Sequence, residues 1–191
     1  MIHTMKRRAK PKLMLSSTLR HVTVDVAAIA IVMHDLGLTD STIASVTLYI
    51  DDIPRLTTRG VTWPKHLARI RFPTAKATGT LICLSSRLLI SGSTQHTITT
   101  TLIHEIQHAV QFQNKDPRVI IGKVTEITLL LCGILLGLTD ASGPWIYRIL
   151  VTLITAFFGL HVGYRLALDE IQARRVASSY ASKKDLVLFK E

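Results

Sequence analysis

The chain has 191 residues, which is enough for one compact domain and an accessory element. Its net charge of +10 and its 48% of hydrophobic residues exclude a mainly disordered or collagen-like chain. The mean hydropathy of +0.32 is high for a soluble domain of this size, so it indicates a large core or contact with a membrane. The two cysteines, Cys83 and Cys132, lie far apart in apolar segments, which favours two buried free thiols over a disulfide framework.

The positive charge is concentrated in two stretches that contain no acidic residue. Such stretches favour contact with anionic lipid headgroups, and the alternative is an ordinary solvated surface. No nucleic-acid-binding motif accompanies them, so nucleic acid is not expected as a partner. The first stretch contains Lys6, Arg7, Arg8, Lys10 and Lys12, and the second contains Arg55, Arg59, Lys65, Arg69, Arg71 and Lys76.

The first half of the chain predicts one helix and then three strands. Apolar residues recur every three to four positions across residues 18–34, as in a helix, and Gly37 would end it. Residues 46–50, 67–72 and 80–84 are β-branched, apolar or alternating, as in strands. A further helix is predicted over 97–114, ending at Asp116-Pro117, because the residue before a proline disfavours helix. This order of elements predicts an α+β fold.

The helix over 97–114 contains the sequence His104-Glu105-Ile106-Gln107-His108, which is the HExxH pattern. Two imidazoles four residues apart lie on one helical face and can bind one zinc ion. Glu105 would take a proton from a water that zinc acidifies, and that water would attack a peptide carbonyl. The motif therefore predicts a zinc-dependent endopeptidase with two histidine ligands and Glu105 as the general base.

A catalytic zinc needs a third protein ligand. The positions three and six residues after the second histidine hold Gln111 and Asn114, which excludes the glycine and histidine of the metzincin extension. The other solution is a glutamate from a later helix, and Glu170 lies in a helix predicted for the tail of the chain. Two alternatives stay open: Asp169 beside it, and Asp140 in a turn over 140–144.

Two long apolar segments follow the motif, over residues 119–138 and 146–164. We interpret them as a transmembrane helical hairpin, and the alternative is a hairpin buried in a soluble protein. Trp145, Tyr147 and Tyr164 lie near the segment ends, where membrane proteins place interfacial aromatic residues. Lysine and arginine flank the hairpin and are missing from its turn, so the positive-inside rule predicts that the catalytic part and both termini face the cytoplasm or its organellar equivalent.

The order of elements in the chain is an HExxH helix, a hydrophobic hairpin and then a helix with Glu170-x-x-Ala173. This order resembles the integral-membrane gluzincins of the CAAX-prenyl-protease and heat-shock membrane-protease group. The resemblance covers residues 80–179. It implies the same histidine ligands and base, with Glu170 as the third ligand. It also implies that an edge strand with Leu81, Cys83 and Ser85 pairs with an extended peptide or protein substrate.

The chain departs from this family at Arg174, where the family commonly has an aspartate that supports a zinc-binding histidine. The supporting contact would then come from elsewhere, and Asp169 is a candidate for it. The residues considered for stabilising an oxyanion are His161, Tyr164, Arg174 and Tyr180.

These patterns predict a zincin-like α+β fold: a helix, a small sheet with an edge strand, the HExxH helix and a third-ligand helix, with an inserted hydrophobic hairpin. The predicted divisions are a basic arm at 1–17, a catalytic domain at 18–118 and 165–191, and a transmembrane hairpin at 119–164. The predicted function is a membrane-associated zinc endopeptidase. The alternatives are a non-catalytic zinc-binding membrane protein and a soluble minimal zincin whose hairpin is core.

Overall fold

The computed structural model describes residues 9–15, 23–51, 60–71, 76–90, 94–139, 144–182 and 188–190. The chain divides into two compact units, one formed by Met1–Asn114 with Val176–Glu191 and the other by Lys115–Arg175. We name the first the sheet unit and the second the hairpin unit. The predicted α+β class is confirmed, since strands and helices both contribute to the chain.

The sheet unit contains a four-stranded sheet with the strand order β1-β3-β5-β4. Its strands are β1 (Lys12–Leu15), β3 (Thr47–Asp51), β4 (Gly60–Trp63) and β5 (Leu81–Ser85). β1, β3 and β5 are parallel, whereas β4 runs antiparallel to β5. A separate antiparallel pair joins β2 (Thr23–Val24) to β6 (Phe189–Lys190).

The helices of this unit cover the sheet. Those before the hairpin are α1 (Val26–Asp35), α2 (Asp40–Ser45), α3 (Lys65–Arg71), α4 (Arg87–Ile90) and α5 (Gln95–Gln113). α5 begins after Thr94, whose side chain accepts a hydrogen bond from the backbone N–H of Thr97 and caps the helix. Its apolar side packs with α1 and with alternate residues of β3 and β5, in a main core that includes Ile29, Met33, Leu48, Ile50, Ile82, Leu84, Leu102 and Ile106. The intervening residues Leu81 and Cys83 belong to a second, smaller cluster, so β5 is buried on both faces.

The helix predicted over 18–34 begins later than its apolar pattern indicated. Thr23 and Val24 form β2, and α1 starts after Asp25, whose side chain accepts a hydrogen bond from the backbone N–H of Ala28 at 2.9 Å. Gly37 follows the helix end with a φ of 99°, a conformation that glycine adopts without strain. Residues 18–22 lie outside the described part of the chain.

The strand predicted over 67–72 is wrong, because this segment forms α3. The carbonyl of Pro64 accepts hydrogen bonds from the N–H groups of Leu67 and Ala68, as expected where a proline opens a helix. The alternating pattern placed Ala68 and Ile70 on the same apolar face of a strand. In the structure Ala68 is fully buried whereas Ile70 is 74% exposed, so these two residues do not share a buried face. Phe72 lies outside the described residues.

The edge-strand position predicted for Leu81, Cys83 and Ser85 is also wrong. Their strand, β5, pairs with β3 on one side and with β4 on the other. An edge strand has one unpaired side, and in the described part of the sheet that position next to β5 is occupied by β4.

The hairpin unit contains two long antiparallel helices, α6 (Pro117–Thr139) and α7 (Trp145–Leu166). Glycines allow their close contact, since a methyl group at Gly133 would overlap the backbone of Thr155 and one at Gly163 would lie 2.8 Å from the Cα of Glu126. The buried residues of these helices are all glycines, namely Gly122, Gly133, Gly137 and Gly163.

Both hairpin helices, of 23 and 22 residues, are long and apolar enough to cross a membrane by length and composition. Only 11% and 6% of their most apolar windows are buried, so their leucine, isoleucine and phenylalanine side chains form an exposed surface. The hairpin is therefore not part of a protein core within the described chain. Lys123 and Glu126 form an ion pair at 2.9 Å near the start of α6, which reduces the charge that this segment presents.

The last helix, α8 (Leu168–Ala181), follows α7 after Ala167. Ala177 and Ala181 are buried in the main core, which anchors the second half of the helix. Asp169 and Glu170 lie in its first turn.

Candidate metal centre

The two histidines of the HExxH motif lie on one face of α5 with their outer ring nitrogens together. The Nε2 atoms of His104 and His108 are 3.2 Å apart, and the ring planes are nearly perpendicular at 86°. Two nitrogens that each bind a tetrahedral zinc at its usual bond length are about 3.3 Å apart. The spacing of the two imidazoles therefore fits two ligands of one metal ion.

Gln111 fixes the orientation of the second imidazole. Its Oε1 atom lies 2.8 Å from Nδ1 of His108, and because the amide oxygen can only accept, Nδ1 carries the proton. The lone pair of His108 is then on Nε2, the atom that faces His104. Gln111 is 1% exposed, so water does not compete strongly for this bond.

A third ligand atom lies beside the two imidazoles. His104, His108 and Glu170 each offer one atom, and these atoms all lie within 4.8 Å of one another. His108 and Glu170 are buried, with exposed fractions of 9% and 7%. Two nitrogens and one carboxylate form the donor set of an open zinc site, so the cluster fits a bound metal ion of this kind.

Glu105 is buried beside the histidines and contacts β4. The hydroxyl of Thr62 lies 2.7 Å from its Oε2 atom and 2.9 Å from its backbone oxygen. A methyl group at Gly60 would lie 2.8 Å from the Cγ atom of Glu105, so this position admits no side chain without a shift. Glu105 is 4% exposed, and a carboxylate this deeply buried needs such polar contacts.

Arg174 lies against Glu170, one helical turn further along α8. Its guanidinium Nη2 is 3.7 Å from Oε2 of Glu170, and the guanidinium carbon is 5.4 Å from the ring centroid of Tyr164. Arg174 thus places a positive charge beside the candidate third ligand. Asp169 is 4% exposed and packs against α6, where a methyl group at Gly122 would lie 2.9 Å from its Cγ atom.

The remaining predicted residues lie in other surroundings. The hydroxyl of Tyr180 is 2.9 Å from Oδ2 of Asp35, at the end of α1. His161 is exposed on α7. Asp140 lies outside the described residues. Among the basic residues that the structure describes, Lys10, Lys12, Lys65, Arg69 and Lys76 are exposed.

The two cysteines differ. Cys83 is fully buried, as expected, whereas Cys132 is exposed on α6. Burial, followed by the negative charges of Glu105 and Asp51, raises the pKa of the Cys83 thiol to about 12. The neutral thiol form of Cys83 therefore predominates at physiological pH, whereas the thiolate is the nucleophilic form.

Sequence reasoning missed two residues that contact the motif. Gln111 follows His108 by three positions and so lies on the same helical face, a signal that the spacing already contained. Thr62 precedes Glu105 by 43 positions, and the pairing of β4 with β5 brings them together.

Comparison with known proteins identifies no relative: no family model, no curated protein and no solved structure matches the chain.

Proposed function

We propose that the chain is a zinc-dependent endopeptidase that is attached to a membrane by its hairpin. The observation that carries this proposal is the pair of Nε2 atoms 3.2 Å apart on α5, with Glu170 completing the cluster. Glu105 lies next to His104 in the chain and is not among the three candidate ligands, and we assign it the role of base. The same arrangement of roles is implied by the resemblance to the integral-membrane gluzincins.

The proposed reaction is hydrolysis of a peptide bond. Zinc, when bound by the cluster, would polarise the substrate carbonyl and lower the pKa of water. Glu105 takes a proton from the attacking water as the carbon–oxygen bond forms, and donates it to the leaving amine as the carbon–nitrogen bond breaks. Gln111 keeps the second imidazole oriented throughout, and Arg174 offers a positive charge near Glu170.

β4, rather than β5, is the strand that we propose pairs with an extended peptide or protein substrate. It lies at the edge of the described sheet and contacts Glu105 through Thr62. Main-chain hydrogen bonds to such an edge hold a peptide without requiring a particular side chain.

The membrane attachment rests on the exposed apolar surface of α6 and α7. Lysine and arginine lie outside the hairpin on both flanks, and the turn between the helices has neither. We therefore place the site on the cytoplasmic side, with anionic headgroups next to the basic stretches. Accessibility of a protease site added at either terminus of the chain in sealed vesicles tests this orientation.

Zinc content tests the metal site. The purified parent should contain about one zinc per chain, and Glu170→Gln should lose most of it. Glu126→Gln is the matched control, because Glu126 pairs with Lys123 in the hairpin and should leave zinc unchanged. If Glu170→Gln retains zinc and Asp169→Asn or Asp140→Asn loses it, that aspartate is the third ligand instead of Glu170. If the parent holds no zinc after zinc has been supplied, the proposed metal site is wrong.

Cleavage tests the chemistry. Glu105→Gln should keep zinc and lose at least about 1000-fold in turnover of a quenched fluorescent peptide that the parent cleaves, because general-base catalysis is removed. Equal turnover in parent and variant would contradict the mechanism.

The second candidate is a non-catalytic metal-binding membrane protein, and the contact between Arg174 and Glu170 favours it. A guanidinium beside the third ligand competes with a metal ion for the carboxylate. A protein that holds zinc, and cleaves no member of a peptide library in either parent or Glu105→Gln form, would support this candidate.

A further inference from the structure

Two positions of β4 bear on the side chain of Glu105: Thr62 donates a hydrogen bond to it, and glycine at position 60 leaves room for it. Gly60 and Thr62 are two positions apart in a strand, so they lie on the same face, opposite Leu84 and Ile82 of β5. That face belongs to the main core, in which Ile82 and Leu84 pack with α5. β4 therefore presents to the HExxH helix one position without a side chain and one hydroxyl.

β4 constrains the two oxygens of the carboxylate in different ways. The hydroxyl of Thr62 lies 2.7 Å from Oε2, and a methyl group at Gly60 would lie 2.9 Å from Oε1. The hydrogen bond holds one oxygen, and the other oxygen occupies space that any larger residue at position 60 would need. The hydrogen bond from Thr62 therefore restricts rotation of the carboxylate, and glycine at position 60 leaves the space that the held carboxylate occupies.

The surroundings make the hydroxyl contact strong. Thr62 is 8% exposed and Glu105 is 4% exposed, so little water reaches the bond. A hydrogen bond from a hydroxyl to an ionised carboxylate is shorter and stronger than one between neutral groups. The Thr62 hydroxyl has one proton, and the backbone oxygen of Glu105 at 2.9 Å is its other acceptor, so the same side chain also contacts the helix backbone.

We infer that Thr62 positions the general base and that Gly60 leaves the room this orientation needs, so that the strand proposed to pair with substrate also sets the direction of Glu105. This inference rests on the proposed function. Thr62 acts through Glu105 and is a positioning residue, because its hydroxyl is engaged by Glu105 itself. A base held in one orientation keeps its reactive oxygen near the proton that it removes, and small misplacements reduce turnover steeply.

The test compares Thr62→Val, which keeps the shape and removes the hydroxyl, with Thr62→Ser, which keeps the hydroxyl. With the peptide that the parent cleaves, Thr62→Val should lower kcat about 10- to 100-fold with KM within about twofold and zinc per chain unchanged. Thr62→Ser should recover kcat to within about threefold of the parent, because it restores the bond to Oε2. Gly60→Ala should also lower kcat with zinc retained, since its methyl group displaces Glu105.

Several results would overturn the inference: a kcat of Thr62→Val within twofold of the parent, an effect confined to KM, or a Thr62→Ser variant as slow as Thr62→Val. The last result would show that the shape of the side chain matters and its hydroxyl does not. These results are distinct from failure of the proposed function, in which parent and Glu105→Gln would be equally inactive.

A measurement without activity tests the contact itself. In metal-free protein, Thr62→Val should lower the unfolding midpoint by about 3–8 °C, and by less than half as much when Glu105→Leu has already removed the carboxylate. Equal shifts in the two backgrounds would show that the hydroxyl and the carboxylate do not interact, and the inference would fail even in an active enzyme.

Discussion

α5 and the hairpin helices distribute polar and apolar residues in opposite ways. α5 buries Glu105, His108 and Gln111 among its apolar residues. α6 and α7 bury glycines and expose leucine, isoleucine and phenylalanine. Buried polar groups require partners, and a large exposed apolar surface requires cover. The first pattern is the one that we propose serves a metal site on α5, and the second is the one that we propose contacts lipid along the hairpin.

The largest expected difference between the two units is in the reactivity of their cysteines, and each unit contains one of them. At pH 8, raising the pKa of Cys83 from 9.0 to about 12 reduces its thiolate fraction about 1000-fold, and the rate of alkylation should fall with it. The neutral thiol is the form that folding favours, so this contribution to stability is present below pH 9 and is lost as the pH rises toward 12.

Labelling with a membrane-impermeant maleimide tests this contrast. Cys83 should stay unlabelled in native protein under all conditions below pH 9 and should react after denaturation. Cys132 should be protected in intact membranes although it is exposed on α6. Rapid labelling of Cys132 in the membrane-bound protein would show that α6 faces water there, and rapid labelling of Cys83 would contradict its burial.

The glycine contacts of the hairpin give the next largest effect. Gly133→Leu should separate α6 from α7 and destabilise the hairpin by several kcal/mol, because its side chain meets the backbone of Thr155. Cys132→Leu adds the same side chain at the neighbouring exposed position and should cost less than about 1 kcal/mol. Limited proteolysis of both variants in detergent measures the difference, and equal protection would argue against close packing of the helices.

A charge on the outer face of the hairpin separates the lipid interpretation from an aqueous one. Leu153 is 63% exposed, so Leu153→Arg should be tolerated in water but should cost about 2.5–3.5 kcal/mol at the centre of a membrane helix. We expect Leu153→Arg to lower the fraction of protein that resists carbonate extraction from membranes, whereas Leu153→Phe should not. Equal extraction of the two variants would contradict a spanning α7.

The sequence predicted the elements whose signals are local. The motif of α5 and the apolar segments of α6 and α7 are each read from neighbouring residues, and the structure contains helices there. β4 has four residues in a stretch rich in basic residues, so no alternation marked it, and the strand was assigned instead to residues that form α3. The position of β5 inside the sheet depends on β4, which is why the edge was placed on the wrong strand.

The residues of the candidate site also differ in whether local spacing in the sequence relates them to one another. His104, His108 and Gln111 share one helical face, so spacing alone relates them. Glu170 lies more than 60 residues after the motif, in a later helix. Predicting it as the third ligand required excluding other acidic residues and relying on the family resemblance. The contact of Thr62 with Glu105 depends on tertiary packing between β4 and α5, to which no local pattern corresponds.

Gln111 provides the smallest and most specific test of the site helix. Gln111→Leu removes the acceptor at Nδ1 of His108 and should weaken zinc binding about 10- to 100-fold, because that imidazole is then free to rotate and to change tautomer. Gln113→Leu is the matched control, since Gln113 is two positions further along α5 and bonds the N–H of Thr39 and the carbonyl of Gly37 instead. Competition with a chromogenic zinc chelator measures both affinities. A loss of affinity in Gln111→Leu alone supports a metal ligand at Nε2 of His108, whereas equal affinities would mean that the bond to Gln111 serves the packing of α5 rather than the metal.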